Sequence, residues 1–449
     1  MSTTTPSSLW DYTADAKALF ALSDNDLIEL INKDFKHELK RLTRAYAIRS
    51  GEPTVTDKPS PSHILFDADY DEVNRTLIGI LALKWIHNGK YDTFIANQDK
   101  TKPLSRKSFE WMQNFFKDAF SCQSDLYALI TSLIINDLGK DPELAVDYQL
   151  KTKEDISSSN HDLILFKVVS VGLVKCLKGP AHLPQKNVDD IVRGIRLGAD
   201  FNFAQLVQAE NVPACLSGLR DMRGHEHAFD LRFMEQLLDV AGAGGHMDWT
   251  CVSRLTEPLF SAWRNVYDAT ACIVKGDLNL RAGYDMILSW QGELLRKSGF
   301  RQLHISNEEE RAFSRILCLG NVDNLEKAQL YDQVWSSLDT KVKQSLIHSL
   351  NIDGSVDKPA VQPTYMPAFL TEVVMVGGSA ALTSALRYLS RVLSGPERLE
   401  GSVSVIERDV RGTFQRVVQG PDFEQDPTIL EKEPIPSSVP AKVEASSDS

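Results

Sequence analysis

The stretch SLIINDLGKDPEL (132–144) decides how the rest of the chain is read. An apolar run closes on Asn136-Asp137 and turns at Gly139-Lys140. Leu126, Ile130, Leu133 and Asp137 share one stripe at i+3/i+4 spacing, so a helix is expected over 125–138. That helix carries a carboxylate on its apolar face. Such a group must be ion-paired, hold a cation or have a raised pKa. A plainer reading is a helix end closed by Gly139, with Lys140 beside the last carbonyls.

Helical periods dominate outward from this stretch. An amphipathic helix is expected over 23–49, capped by Ser23 or Asp24, with Ile28, Ile31, Phe35, Leu39, Leu42 and Tyr46 on one face. Others are expected over 69–88, 105–120, 161–178, 188–198, 201–210, 227–241, 253–272, 281–298, 307–318, 325–350 and 367–393. Residues 351–367, rich in Pro and Gly, read as a connection, and 402–410 as a strand. The expectation is a mainly α fold: one large multi-helix domain over 23–419, between a flexible segment 1–22 and a disordered tail 420–449. The tail is Pro, Ser and charge without large apolar residues.

The 449 residues are 43% hydrophobic, enough for a sizeable core. A net charge of −12 argues against a protein that coats nucleic acid, DNA included, through overall positive charge. Six scattered cysteines, with no CxxC pair, point to buried thiols in a reducing compartment. The N-terminus lacks the basic and apolar regions of a signal peptide. No apolar run approaches the ~18–20 residues of a membrane span. A cytoplasmic protein is expected.

Three further segments carry candidate chemistry. Asn160-His161-Asp162 offers a helix cap, a proton carrier and an acid together. Gln205 and Gln208 share a helix face before Glu210-Asn211, and inward amides commonly orient polar substrates. His225, His227, His246 and Asp248 lack the i, i+4 spacing of HExxH, and Gly242–Gly245 follows a helix, not a strand, so no metal is expected. Lys33, Lys36, Lys40 and Arg44 form a basic stripe. From 33 to 49 six Lys/Arg face Asp34 and Glu38, a local balance of +4. With Lys102, Arg106 and Lys107 the stripe is either a solvated face or a phosphate-tracking surface.

Asn136-Asp137-x-Gly139-Lys140 is similar to the His-Asp-x-Gly-Lys signature of HD-type metal phosphohydrolases, with Asn136 in place of the histidine. A neutral amide replaces imidazole poorly as a metal ligand, so one alternative is an HD-type metal-dependent phosphohydrolase or a catalytically inactive relative that keeps its helical core. A helical interaction module is another. INDLGKDPELAVDY (135–148), NHDLIL (160–165), GADFNFAQLVQAENVPACL (198–216), LLDVAGAGGHMDW (237–249), GYDMILSWQGELLRKSGF (283–300) and PTYMPAFL (363–370) together resemble the fungal arginine-containing cyclodipeptide synthases. The likeness runs over roughly 60–400 and adds to the reading of the residues. It implies condensation of arginyl-tRNA with a second aminoacyl-tRNA to a cyclo(Arg-Xaa) diketopiperazine, with no ATP, metal or other cofactor. On physical grounds the expected catalytic groups are Asp137, His161, Asp162 and Glu210. The expected substrate-binding groups are Asn136, Lys140, Asn160, Gln205, Gln208 and Asn211, with tRNA phosphates on the basic stripe. Asp137 in particular is expected to meet a substrate guanidinium.

Overall fold

The computed structural model describes residues 8–46, 53–55, 57–120, 122–177, 183–395 and 401–443. The fold is mainly α, with a single small sheet among the described residues. Two compact units emerge, one of Met1–Ala199 with Gly224–Arg264 and one of Asp200–Arg223 with Asn265–Ser449.

In the first unit the helix Asp71–His87 is buried over nearly its whole length, its polar Glu72, Asn74 and Lys84 included. It crosses the helix Glu226–Gly242 at glycines. A Cβ on Gly79 would lie 2.9 Å from the Leu238 carbonyl oxygen, and one on Gly242 only 2.1 Å from that of Arg75. Backbones this close bring Glu72 and Arg75 within reach of the opposite helix. The apolar helix Gln123–Ile135 runs on as the 3-10 turn Asn136–Lys140. Gly139 has a different reason from the expected helix stop. Its φ is not positive, but a Cβ there would fall 1.9 Å from the His161 carbonyl oxygen. The turn and the start of the helix His161–Ser170 touch at that point, which sets His161 beside Asp137.

Several expected boundaries shift. The helix from Ser23 ends at Leu42, and Tyr46 is 58% exposed, off the buried face. The chain leaves the helix where Arg41 and Arg44 both turn onto Asp141. Residues 47–49 lie outside the described residues. The N-terminal segment is structured from Ser8 onward, because Leu9, Leu19 and Phe20 of the helices Leu9–Thr13 and Ala16–Ala21 are buried. Residues 1–7 lie outside the described residues. The expected helix 325–350 is two, Leu325–Ser337 and Thr340–Leu350, since Asp339 caps the second by accepting from the Val342 N–H at 3.0 Å.

The second unit is built on the helix Met366–Leu393, kinked at Gly378 (φ 52°). By length and composition this helix could cross a membrane, contrary to the expectation of no such run. Polar Thr371-Glu372 and Ser379 broke the run in the sequence, while Phe369, Leu370, Val373, Leu382 and Leu386 pack in this unit's core. The connection 351–367 contains β1 (Ala360–Thr364), parallel to β2 (Val403–Asp409) with Thr364 opposite Asp409. β3 (Val439–Val443) pairs antiparallel with β2. The tail expected to be disordered therefore supplies an edge strand. Backbone pairing requires no large side chains, and Leu430 is fully buried ahead of it. Residues 444–449 lie outside the described residues.

Candidate functional site

In the first unit, Asp137 (4% exposed) enters a buried ionic cluster. Its Oδ2 is 2.9 Å from Lys140 Nζ, which also donates to Glu72 Oε2 at 3.0 Å, and Glu72 Oε1 accepts from Arg75 Nη1 at 2.8 Å. His161 Nε2 is 4.0 Å from Asp137 and 3.6 Å from Asp162. Arg232 approaches Asp162 at 3.6 Å and Glu235 at 2.5 Å. Asn136 Oδ1 accepts from Arg232 Nη1 (3.0 Å) and Gln236 Nε2 (3.3 Å). Burial favours the protonated form of Asp137, but the Lys140 ammonium beside it holds the carboxyl below its ordinary range. Burial, with Asp137 adjacent, pushes Glu72 up to about 7. Burial likewise pushes Glu235 to about 7 and raises Asp239. Every cation here faces a carboxylate of the same unit. Asp137's demand for a cation is met by Lys140, three residues on. Among the described residues no three His, Cys, Asp or Glu side chains group as metal ligands.

The second unit holds a different arrangement. After the short helix Phe203–Val207 the chain reverses at Ala209 in the left-handed region (φ 53°). Arg315, 1% exposed, clamps the reversal: its guanidinium donates to the carbonyls of Ala209 (3.2 Å), Glu210 and Asn211 (both 3.3 Å). Tyr284 donates to the Ala209 carbonyl as well, at 3.1 Å. The result turns Glu210 onto a cavity of about 570 Å³, shared with Gln205, Gln208, Thr364, Tyr365 and Arg411. That is the size range of small-ligand sites. Tyr365 (φ 73°) and Asn321 (φ 47°), both on this cavity, are left-handed too. Such conformations cost on the order of 1–3 kcal/mol each and concentrate at functional sites.

Glu210 is 4% exposed, and its Oε1 accepts from the Met366 N–H at 3.0 Å. Among the described residues it forms no ion pair. Burial pushes its carboxyl up to about 8, against the Met366 and Tyr365 N–H groups, with Glu407 and Asp409 adding to the rise. A carboxyl so placed holds its proton near neutrality and ionises when a cation arrives.

The structure thus places Asp137, His161, Asp162, Asn136, Lys140 and Asn160 in one unit, and Glu210, Gln205, Gln208 and Asn211 in the other. Asn160 is a helix cap, accepting from the Leu163 N–H at 2.8 Å. Of the basic residues, Lys33, Lys36, Lys40, Lys102, Arg106 and Lys107 are exposed. Arg44 is engaged by Asp141 (2.7 Å) and Glu143 (3.1 Å), and Arg106 lies over the Tyr91 ring at 4.3 Å. Sequence reasoning missed Glu72, Arg75, Arg232 and Glu235. Their i, i+3 pairing, Glu72 with Arg75 and Arg232 with Glu235, was the available signal. It also missed Thr364, Tyr365 and Arg411, which no local pattern connects to Glu210.

No curated protein and no solved structure matches the chain. A family model does match it, over residues 28–430. That span covers most of the sequence, and the chain belongs to the family described as "Family of unknown function (DUF6829)".

Proposed function

We propose that this protein is a cytoplasmic arginine-containing cyclodipeptide synthase, and that the cavity at Glu210 receives the arginyl group of arginyl-tRNA. The observation that supports this reading most is Glu210 itself, a buried carboxyl on a ligand-sized cavity that forms no ion pair among the described residues. A substrate guanidinium would complement that carboxyl in charge and in hydrogen-bond donors. Asp137 and Asp162, matched to Lys140 and Arg232, are assigned to the scaffold of the first unit.

The reaction is aminolysis of an ester. The α-amine nitrogen of one aminoacyl group bonds to the ester carbonyl carbon of the other. The bond to the ribose oxygen breaks, and the amine's proton ends on the released ribose hydroxyl. A second round closes the ring and frees the second tRNA. The ester is already activated, so the steps balance without ATP or an oxidant. The protein's share is to place the amine against the ester and stabilise charge as it develops. The exposed Lys33, Lys36, Lys40, Lys102 and Lys107 are the surface for tRNA phosphates.

The test is incubation of the full chain with a tRNA pool, aminoacyl-tRNA synthetases, ATP for charging, and amino acids including labelled arginine. Mass spectrometry should find arginine diketopiperazines, and ribonuclease should abolish them. Charged tRNA without any such product would sink the reading.

A further inference from the structure

The amide of Gln205 has its orientation fixed from behind. Cys215, 3% exposed, points its sulfur at Gln362 Oε1 at 3.3 Å, and burial keeps the thiol protonated, so the sulfur donates. Asn211 Nδ2 donates to the same oxygen at 3.0 Å. With Oε1 engaged as an acceptor, Gln362 presents Nε2 to Gln205 Oε1 at 3.2 Å, and Asn211 Nδ2 reaches that oxygen at 3.3 Å. An amide has one acceptor end and one donor end. Gln205 therefore keeps its oxygen on this network and its NH2 away from it. Gln205 lines the cavity with Glu210, and among the described residues its Nε2 donates to no protein acceptor. Thr364 lines the same cavity, and its buried hydroxyl has no hydrogen-bond partner among the described residues. Buried hydroxyls in folded proteins are normally satisfied, so this one calls for a partner from outside the chain.

Resting on the function proposed above, we infer that Gln205 Nε2 and Thr364 Oγ1 receive the ester carbonyl oxygen of the arginyl group held at Glu210, and that Gln362 is a positioning residue that keeps Gln205 in its donating orientation. When the amine nitrogen bonds to the carbonyl carbon, the carbonyl π pair moves onto that oxygen. Donors already aimed at it stabilise the charge without reorganising. The charge is relieved when the carbonyl reforms and the ribose oxygen departs with the proton. A reversed Gln205 would instead present its own lone pairs to the oxyanion.

Two probes separate the carbonyl contact from the cation contact: arginine methyl ester, and agmatine, which keeps the amine and guanidinium but lacks the carbonyl. Calorimetric titration of the full chain should show the ester binding about 10-fold more tightly, the worth of one good hydrogen bond. Gln205→Leu and Thr364→Val should each move that ratio toward one and leave the agmatine Kd unchanged. Gln362→Leu, which removes the amide that donates to Gln205 Oε1, should free Gln205 to reverse and erase the ester preference. A merely structural Gln362 would instead weaken both probes alike. A ratio indifferent to Gln205 and Thr364, or no binding of either probe, overturns the inference. The broader function fails separately, when wild type makes no arginine diketopiperazine. An ester preference that still depends on Gln205 in such a protein would leave the carbonyl site standing. Product formation with a ratio that ignores Gln205 would remove the carbonyl site alone.

Discussion

Asp137 and Glu210 are equally buried carboxyls, each 4% exposed, yet they have opposite electrostatic settings. Asp137 has an ammonium at 2.9 Å and an imidazole at 4.0 Å, and its proton affinity falls. Glu210 has two backbone N–H groups, no ion pair among the described residues and two more carboxylates nearby, and its proton affinity rises. The first arrangement is closed, because removing any member strands a buried charge. The second lacks an ion-pair partner among the described residues and borders a cavity lined by two left-handed residues, Asn321 and Tyr365. Burial alone therefore does not mark a site. What distinguishes the two is whether the chain itself provides the counter-charge.

Substituting each carboxyl sharpens the contrast. If the proposed function holds, Glu210→Gln should lower kcat/KM for diketopiperazine formation roughly 10²–10³-fold, the cost of losing one member of a desolvated charge pair with the substrate. Its fold should not suffer. A carboxyl whose folded pKa is raised from 4.5 to about 8 contributes stability that is complete below 4.5 and lost as pH rises through 8. Denaturant unfolding at pH 8 should show the Gln variant at least as stable as wild type, with that advantage gone at pH 4.5. Asp137→Ala should do the reverse. It leaves Lys140 without its nearest carboxylate and should cost about 3–5 kcal/mol, read as a drop in denaturation midpoint at pH 7. Loss of activity in Glu210→Gln that only tracked a loss of fold would erase the distinction.

How much of this contrast could be read from the sequence depended on range. The carboxylate on the apolar stripe at Asp137 was legible. Its partner Lys140 was also in view three residues on, but a substrate guanidinium was expected instead because the 3-10 turn that curls Lys140 back was not. Glu72 sits 65 positions upstream, on another helix, and reaches the cluster through its contact with Lys140, which no local pattern reports. Glu210, Gln205 and Gln208 were legible as polar groups at a helix end. Their opposite wall, residues 364–411, was not, since β1 is five residues long, contains Pro363 and lies at a sheet edge, where strand periodicity is weakest. The same holds for β3, whose pairing depends on backbone groups that composition does not report.

The closed cluster should also reveal itself through pH. Glu72 is raised from 4.5 to about 7, so its contribution is complete below 4.5 and disappears as pH rises through 7. Wild type should lose stability across that window through this group. Glu72→Gln should flatten the slope there. Asp137 acts the other way, with stability lost only as pH falls below its ordinary range. A slope between pH 4.5 and 7 that ignored Glu72→Gln would mean that Lys140 keeps Glu72 ionised, as the neighbouring Asp137 is.

The smallest effect tests the surface rather than either interior. Lys36 and Lys40 are exposed on the helix Asp24–Leu42, whereas Arg44 in the same stripe is bound to Asp141 and Glu143. If the stripe tracks tRNA phosphates, each free lysine releases about one counterion. The slope of log K against log salt should then flatten by roughly 0.7–0.9 per Lys→Ala change. Arg44→Ala should differ in kind. Its main loss is a partner of the fully buried Asp141, so it should lower stability more than it alters the salt slope. Equal salt-slope changes for all three would place Arg44 on the phosphate surface and make its pairing with Asp141 incidental. No change for Lys36 and Lys40 would leave them a solvated face and move the tRNA surface to Lys102 and Lys107, where the same titration applies.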